Sequence, residues 1–272
     1  MKWMASVGLV AVLGVGTAAG IATSAAAKPK PVHSTVATAP VTTASFSFTA
    51  SVSGIAKNLG AITVTGSGAA DLVNDAVSLS VTLPGSVARL IPGGSATPEV
   101  VNAVLSGGTV YVEVPSLAAL LGAPWISVAL PANANAAIPG VFTKVGGALG
   151  DVNEILAFAR SHHASVHSLG SSIVDATSVT GSRVTARVKG LSLVVTLWAD
   201  SSGRLVQATV GATTHRGLDI SAVVNFTGYD APVTIAVPPP SQVKAIPLSV
   251  VTSVLGGLLH HVKLGAHGGK KI

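Results

Sequence analysis

The sequence predicts an α+β domain built on one long antiparallel sheet, with helices gathered on one face. Three observations carry this. Short segments that alternate apolar and polar side chains recur on both sides of a helical middle. The order strands, helices, strands is not the βα alternation of a parallel sheet. Gly- and Asp-containing turns separate the strands at hairpin spacing. A sheet of this length accumulates twist and curls.

The elements follow in order. Residues 28–43 are rich in Pro, Thr and Ala without period and read as a linker. Ser45–Gly54, Ala61–Leu72 and Asp75–Pro84 alternate as strands, with Ile62 and Val64 sharing one face of the second. A Gly/Pro/Ser loop leads to two strands joined at Gly107-Gly108, the second carrying Val110 and Val112. A short helical turn precedes Pro124-Trp125, and the stretch Asn133–Gly150 is ambiguous. Asp151–Val166 reads as a helix, with Asp151 as cap and Glu154 three residues on. Strands resume from about Gly170, first SSIVDATSVTG and then SRVTARVKG. Then comes the hairpin LVVTLWADSSGRLVQATV, turning through Asp200, Ser201 and Gly203. Two more strands end at Pro238-Pro239-Pro240. In the hairpin, Leu191, Leu193, Val195 and Leu197 share a face, and Trp198 lies on the other.

Composition narrows the function. The chain has 272 residues, of which 49% are hydrophobic and 10% charged, and its mean hydropathy is +0.65. The N-terminal apolar run ending in Ala25-Ala26-Ala27 reads as a signal peptide over residues 1–27, with an uncleaved anchor as the alternative. Export to the cell envelope or medium follows. With no cysteine there is no disulfide, no thiolate site and no amino-terminal lipid anchor. The net charge of +6 sits at the ends, on Lys2, Lys28, Lys30, Lys263, Lys270 and Lys271. The remaining ten Lys and Arg balance the ten Asp and Glu, so no basic stripe for nucleic acid exists.

Catalytic chemistry finds little footing. No G-x-S-x-G and no phosphate-binding loop occurs, and the carboxylates form no acid/base pair. His163 and His167 lie four apart beside His162, but no carboxylate completes a metal set. No enzyme, cofactor or metal is expected. Residues 241–272 form a basic tail with apolar residues at helical spacing from Val250 to Val262. It is too short to span a bilayer. Lying on a membrane surface, packing back over the domain and fraying stand open for it.

The segments GAPWISVAL, LVVTLWADSSGRLVQATV and VVNFTGYDAPVTIAVPPPSQV resemble the actinobacterial LppX/LprA/LprF/LprG group of lipid-carrying lipoproteins, over about Ala44 to Val243. Tyr111-Val112 with Pro115, Pro124 to Val128, Trp198 to Asp200 with Gly203, and Phe226 to Pro239 carry the likeness. The resemblance implies a half-open antiparallel barrel over residues 44–240, with helices on its concave face and a cavity for acyl chains. It implies a monomeric, non-catalytic carrier of a lipid or lipoglycan. The resemblance puts Trp125 near that cavity, and Ile62, Val64, Val110, Val112, Val195, Leu197 and Phe226, set on one face by alternation, are the further candidate lining residues. Unlike that group, this chain has no lipobox cysteine. The alternative is an envelope interaction or structural domain whose cavity is filled and carries no lipid.

Overall fold

The computed structural model describes residues 40–54, 60–89, 91, 93–188, 190–215 and 217–249. The signal segment, nearly all of the linker and the tail beyond residue 249 lie outside the described residues.

Twelve strands among the described residues form one sheet in the order β12-β6-β5-β4-β3-β2-β1-β11-β10-β9-β8-β7. The first meander comprises β1 (Thr43–Ser53), β2 (Ile62–Asp71), β3 (Ala76–Leu83), β4 (Glu99–Ser106), β5 (Thr109–Glu113) and β6 (Trp125–Ala129). The second comprises β7 (Ser165–Val174), β8 (Thr177–Val188), β9 (Leu191–Ala199), β10 (Leu205–Thr214) and β11 (Asp219–Tyr229). The two meanders join where the first strand pairs antiparallel with β11, as in Phe48↔Val224 and Ala50↔Ala222. Short β12 (Val243–Ala245) runs parallel to β6 and covers that edge. The sheet is therefore antiparallel except for one pair, and open, with β7 and β12 as its edges.

The turns explain themselves locally. Gly107 and Gly108 both take positive φ between β4 and β5, as a two-residue hairpin loop requires. Between β9 and β10 the Asp200 carboxylate accepts from the backbone N–H of Ser202 and Arg204, and Gly203 takes φ +87°.

Among the described residues four helices accompany the sheet: α1 (Gly85–Ala88), α2 (Pro115–Leu121), α3 (Ala132–Gly150) and α4 (Val152–Ser161). The ambiguous stretch is thus helical, despite Pro139 as its eighth residue. Its buried residues Phe142, Gly146 and Leu149 fall at helical spacing. Gly146 lets the chain ahead of β1 lie against the helix: Val41 N–H donates to the Gly146 carbonyl at 3.2 Å, and a Cβ there would sit 2.8 Å from the Val41 carbonyl. Val41 is 3% exposed, so the core begins before the strand does.

Three expectations need correction. The helix read over Asp151–Val166 ends at Ser161, with His163 at φ +59° in the turn and β7 starting at Ser165. Strand alternation from Ser165 onward captures those residues. SSIVDATSVTG is interrupted by a turn at Asp175 and Ala176, both with positive φ. The segment from Pro232 to Pro239 forms no strand; it runs unpaired from the end of β11 towards β12. Pro232 at its start and Pro238 and Pro239 at its close remove N–H donors that a ladder would need there.

Laid flat, twelve strands at about 4.8 Å would span roughly 53 Å. Yet Leu79 and Leu105 from one meander and Val184 and Leu197 from the other pack into a single cluster with α3 and α4. A pair of helices each about 10 Å across touches both only if the sheet curls around them. The fold is a curled, half-open antiparallel barrel with helices on its concave face.

Candidate functional site: the uncovered half of an apolar face

Strand register divides the sheet into two chemically distinct faces. Directly paired residues share a face. One such row reads Val184, Val195, Val210, Ala222, Ala50 and Val64. The neighbouring row towards the end of β2 includes Leu197, Ala208, Val224, Phe48, Gly66 and Val81. The opposite face is hydroxylated: Ser47, Thr49 and Ser51 on β1, Thr63, Thr65 and Ser67 on β2, Ser78, Ser80 and Thr82 on β3. On these three strands apolar residues line the inner face and hydroxyls the outer.

The helices cover only one end of the inner face. Helix α3 begins beside the β4–β5 turn, where Leu130 N–H donates to the Gly108 carbonyl at 2.9 Å. Its far end meets the start of β1, and Val152 N–H of α4 donates to Gly203 of the β9–β10 turn at 2.9 Å. At this end Ala44, Leu197, Leu205 and Ala208 are all buried in the core with Phe142, Leu149 and Leu156.

A hydrogen-bonded clasp tightens the same end. Asp230 accepts from the backbone N–H and hydroxyl of Thr42 at 2.9 and 3.0 Å, and pairs with Arg204 at 2.8 Å. The Arg204 guanidinium lies 5.7 Å from the Tyr229 ring, whose hydroxyl donates to the Leu205 carbonyl. The Thr42 N–H, followed by its hydroxyl and Arg204, holds the Asp230 carboxyl below the usual range. Burial pushes the Tyr229 phenol up.

At the other end the same face is bare. The row Ala186, Leu193, Ala212, Ile220, Val52 and Ile62 spans β8, β9, β10, β11, β1 and β2. Every member is only half-buried, and none belongs to the hydrophobic clusters that the sheet forms with α3 and α4. Between the two ends, Phe46 and Phe48 lie across the glycines opposite them: a Cβ at Gly66 would sit 2.6 Å from Cζ of Phe48, and one at Gly68 2.7 Å from Cζ of Phe46. The rings fill the floor where the strand has no side chain of its own. The result is a trough with a packed end, a Phe-filled middle and an open apolar end.

Of the expected lining residues, Ile62, Val64, Val110, Val112, Val195, Leu197 and Phe226 all fall on the inner face. They are not equivalent. Leu197 is 2% exposed and belongs to the packed core. Val110 pairs with buried Val128 at the covered end. Ile62 stands in the bare row. Trp125 is on the outer face: it pairs with Glu113, whereas its neighbour Ile126 pairs with Val112. Trp198 is also on the outer face, with its ring over Gly181. Residues absent from the expected set are Val52, Ala186, Leu193, Ala212 and Ile220, though their alternation was there to be read. His163 and His167, expected to share a helix face, are parted by the end of α4. Two open depressions lie off the inner face: one among Ser67, Ser78, Ser80 and Asn102, the other among Arg187, Ser192, Thr213 and His215. No described helix is long and apolar enough to cross a membrane.

No family model and no curated protein matches this chain. Among solved structures it is similar to the lipoprotein LppX of Mycobacterium tuberculosis, at 13% identity and a TM-score of 0.36, over 72% of this chain and 90% of that one. It is also similar to a putative outer membrane lipoprotein-sorting protein domain from Vibrio parahaemolyticus, at 10% identity and a TM-score of 0.26, over 70% and 86% respectively. Both scores are low, and the architecture above rests on the strand register of this chain alone.

Proposed function

We propose that this is an exported, non-catalytic binding protein that holds a lipid or lipid-linked molecule against the open half of its inner face. The observation that carries the reading is the bare row from Ala186 to Ile62: six apolar side chains, each half-buried, outside the clusters in which helices bury the other end of the same face. Exposed apolar surface of this extent marks a binding site more often than an idle one. Each methylene it removes from water contributes about 0.8 kcal/mol, so acyl chains bind without a charged contact. The N-terminal signal pattern supports export, and the motif resemblance described above supports a lipid ligand.

Native mass spectrometry of protein purified from its own host tests this. Co-purified lipid is the expected result, and apo protein after gentle handling defeats it. Ala212→Trp then localises the site: it fills the bare row, so it abolishes uptake of a fluorescent lipid while melting stays unchanged. The second reading is an envelope interaction domain without cargo. Phe46 and Phe48, which fill the middle of the trough, favour it. Under that reading Ala212→Trp changes neither melting nor lipid uptake above background.

A further inference from the structure

The outer face of the sheet carries a row of its own. Strand pairing lines up Trp198 of β9, Gln207 of β10, Asn225 of β11, Ser47 of β1 and Ser67 of β2. At about 4.8 Å per strand this row runs roughly 19 Å across the sheet. Its first member lies flat. A Cβ at Gly181, the residue opposite on β8, would sit 2.4 Å from Cζ3 of Trp198 and 2.7 Å from each of Cε3 and Cη2. A ring meeting Gly181 by its edge would leave those two neighbours markedly farther off than Cζ3. The indole therefore presents one face to Gly181 and turns the other away from the sheet. Beyond Gly181 the row continues into Gly170, again without a side chain. Trp198 is only half-buried.

The amides beside it are half satisfied. Gln207 Nε2 donates to Asn225 Oδ1 at 2.8 Å. The Gln207 side-chain oxygen and the Asn225 side-chain nitrogen have no partner among the described residues, and neither do the hydroxyls of Ser47 and Ser67. At Ser67 the row opens into the shallow depression among Ser67, Ser80 and Asn102. No member of the row is charged, and Arg183 stands one row away, opposite Thr196. A flat indole, a pair of amides and a line of hydroxyls match the chemistry of a sugar chain. The C–H face of a sugar ring stacks on the electron-rich indole face. Its hydroxyls, each donor and acceptor, exchange hydrogen bonds with amides and serines of the same double character. An apolar partner would leave the amides unpaired, and an anionic polymer would find no cation in the row.

We propose that this outer row is a binding site for an uncharged polysaccharide lying across the strands. Trp198 stacks on one sugar ring, Gln207 and Asn225 bond the next, and the serines continue the track. The site is independent of cargo: it binds whether or not the trough on the inner face carries a ligand.

Affinity electrophoresis of the full chain tests it, in cathodic native gels containing hydroxyethyl cellulose, mannan, dextran or arabinogalactan. At least one of these polymers should slow migration relative to a plain gel. W198L keeps apolar cover over Gly181 but has no ring face, so it should weaken that retardation about tenfold. W198Y keeps a ring and should retain most of it. Q207A/N225A should weaken it by a similar factor to W198L, through lost hydrogen bonds. S192A, elsewhere on the outer face, and A212W, on the inner face, should leave it unchanged. The proposal fails if none of the four polymers slows the protein. It fails equally if W198L is retarded like the unmodified chain, since the ring is then only cover, or if A212W abolishes retardation, since the inner face then holds the sugar. Circular dichroism of each variant confirms that the fold is retained.

Discussion

The two ends of the inner face are made of the same residue types and differ only in what lies over them. Val184, Leu197 and Ala208 would read much like Ala186, Leu193 and Ala212 on any hydropathy plot. At one end α3 and α4 convert such residues into a core, with Leu205 and Ala208 at 0% exposure. At the other end they stay half in water. Apolar patterning therefore specifies the face, while the two helices decide how much of it is spent on stability. Substitutions with the same chemistry should behave oppositely at the two ends.

The largest effect belongs to the covered end. Leu205→Ala removes a side chain that is fully buried under Leu156 and its neighbours. It should cost about 2–5 kcal/mol, which denaturant unfolding measures directly. The next comparison is between two tryptophans. Leu197→Trp should overpack the cluster and cost about 1–3 kcal/mol, whereas Ala212→Trp, in the bare row, should shift the unfolding midpoint by no more than about 0.5 kcal/mol. Equal losses would mean that the open end is packed after all.

A smaller effect depends on pH. Asp230 is held below the ordinary carboxylate range by the Thr42 N–H first and Arg204 later, and Asp71 by the Asn74 side chain first. Both sit at the covered end. A depressed carboxylate contributes stability that is complete above its unfolded-state pKa and disappears as pH falls through the lower folded value. Melting temperature should therefore fall as the solution is acidified below the ordinary aspartate range. D230N should be less stable at neutral pH and show a shallower acid decline. An unchanged slope in that variant would assign the decline to other carboxylates. The smallest effect is expected at Trp198, whose ring covers Gly181 on the outer face: W198A should destabilise modestly and leave lipid uptake intact.

Much of this was legible in the sequence, and for definite reasons. Strand alternation placed Ile62 with Val64 and Val195 with Leu197, because a two-residue period leaves no choice of face. The same parity assigns Trp125 to the outer face, since Ile126 and Val128 carry the apolar positions of β6; motif resemblance had placed it inside. The Asp200 turn was legible because Asp and Gly there have specific conformational work. Helix α3 was not, since four glycines and alanine-rich turns around Pro139 carry weak propensity, and its stability comes from packing Phe142 and Leu149 into the core cluster.

The pairing of β1 with β11 has a consequence for how the chain is made. Each meander is built from neighbours in sequence, but the seam between them joins Ala50 to Ala222. At ribosomal rates of 5–20 residues per second, β1 waits about ten to thirty seconds for its partner to be synthesised. Until then the first meander presents a long, unpaired edge flanked by Phe46 and Phe48, the kind of template on which other chains nucleate. The seam is thus the step where this protein is most exposed to misassembly. A factor that shields β1 during synthesis, or export before folding, would protect yield more than any increase in the stability of the finished barrel.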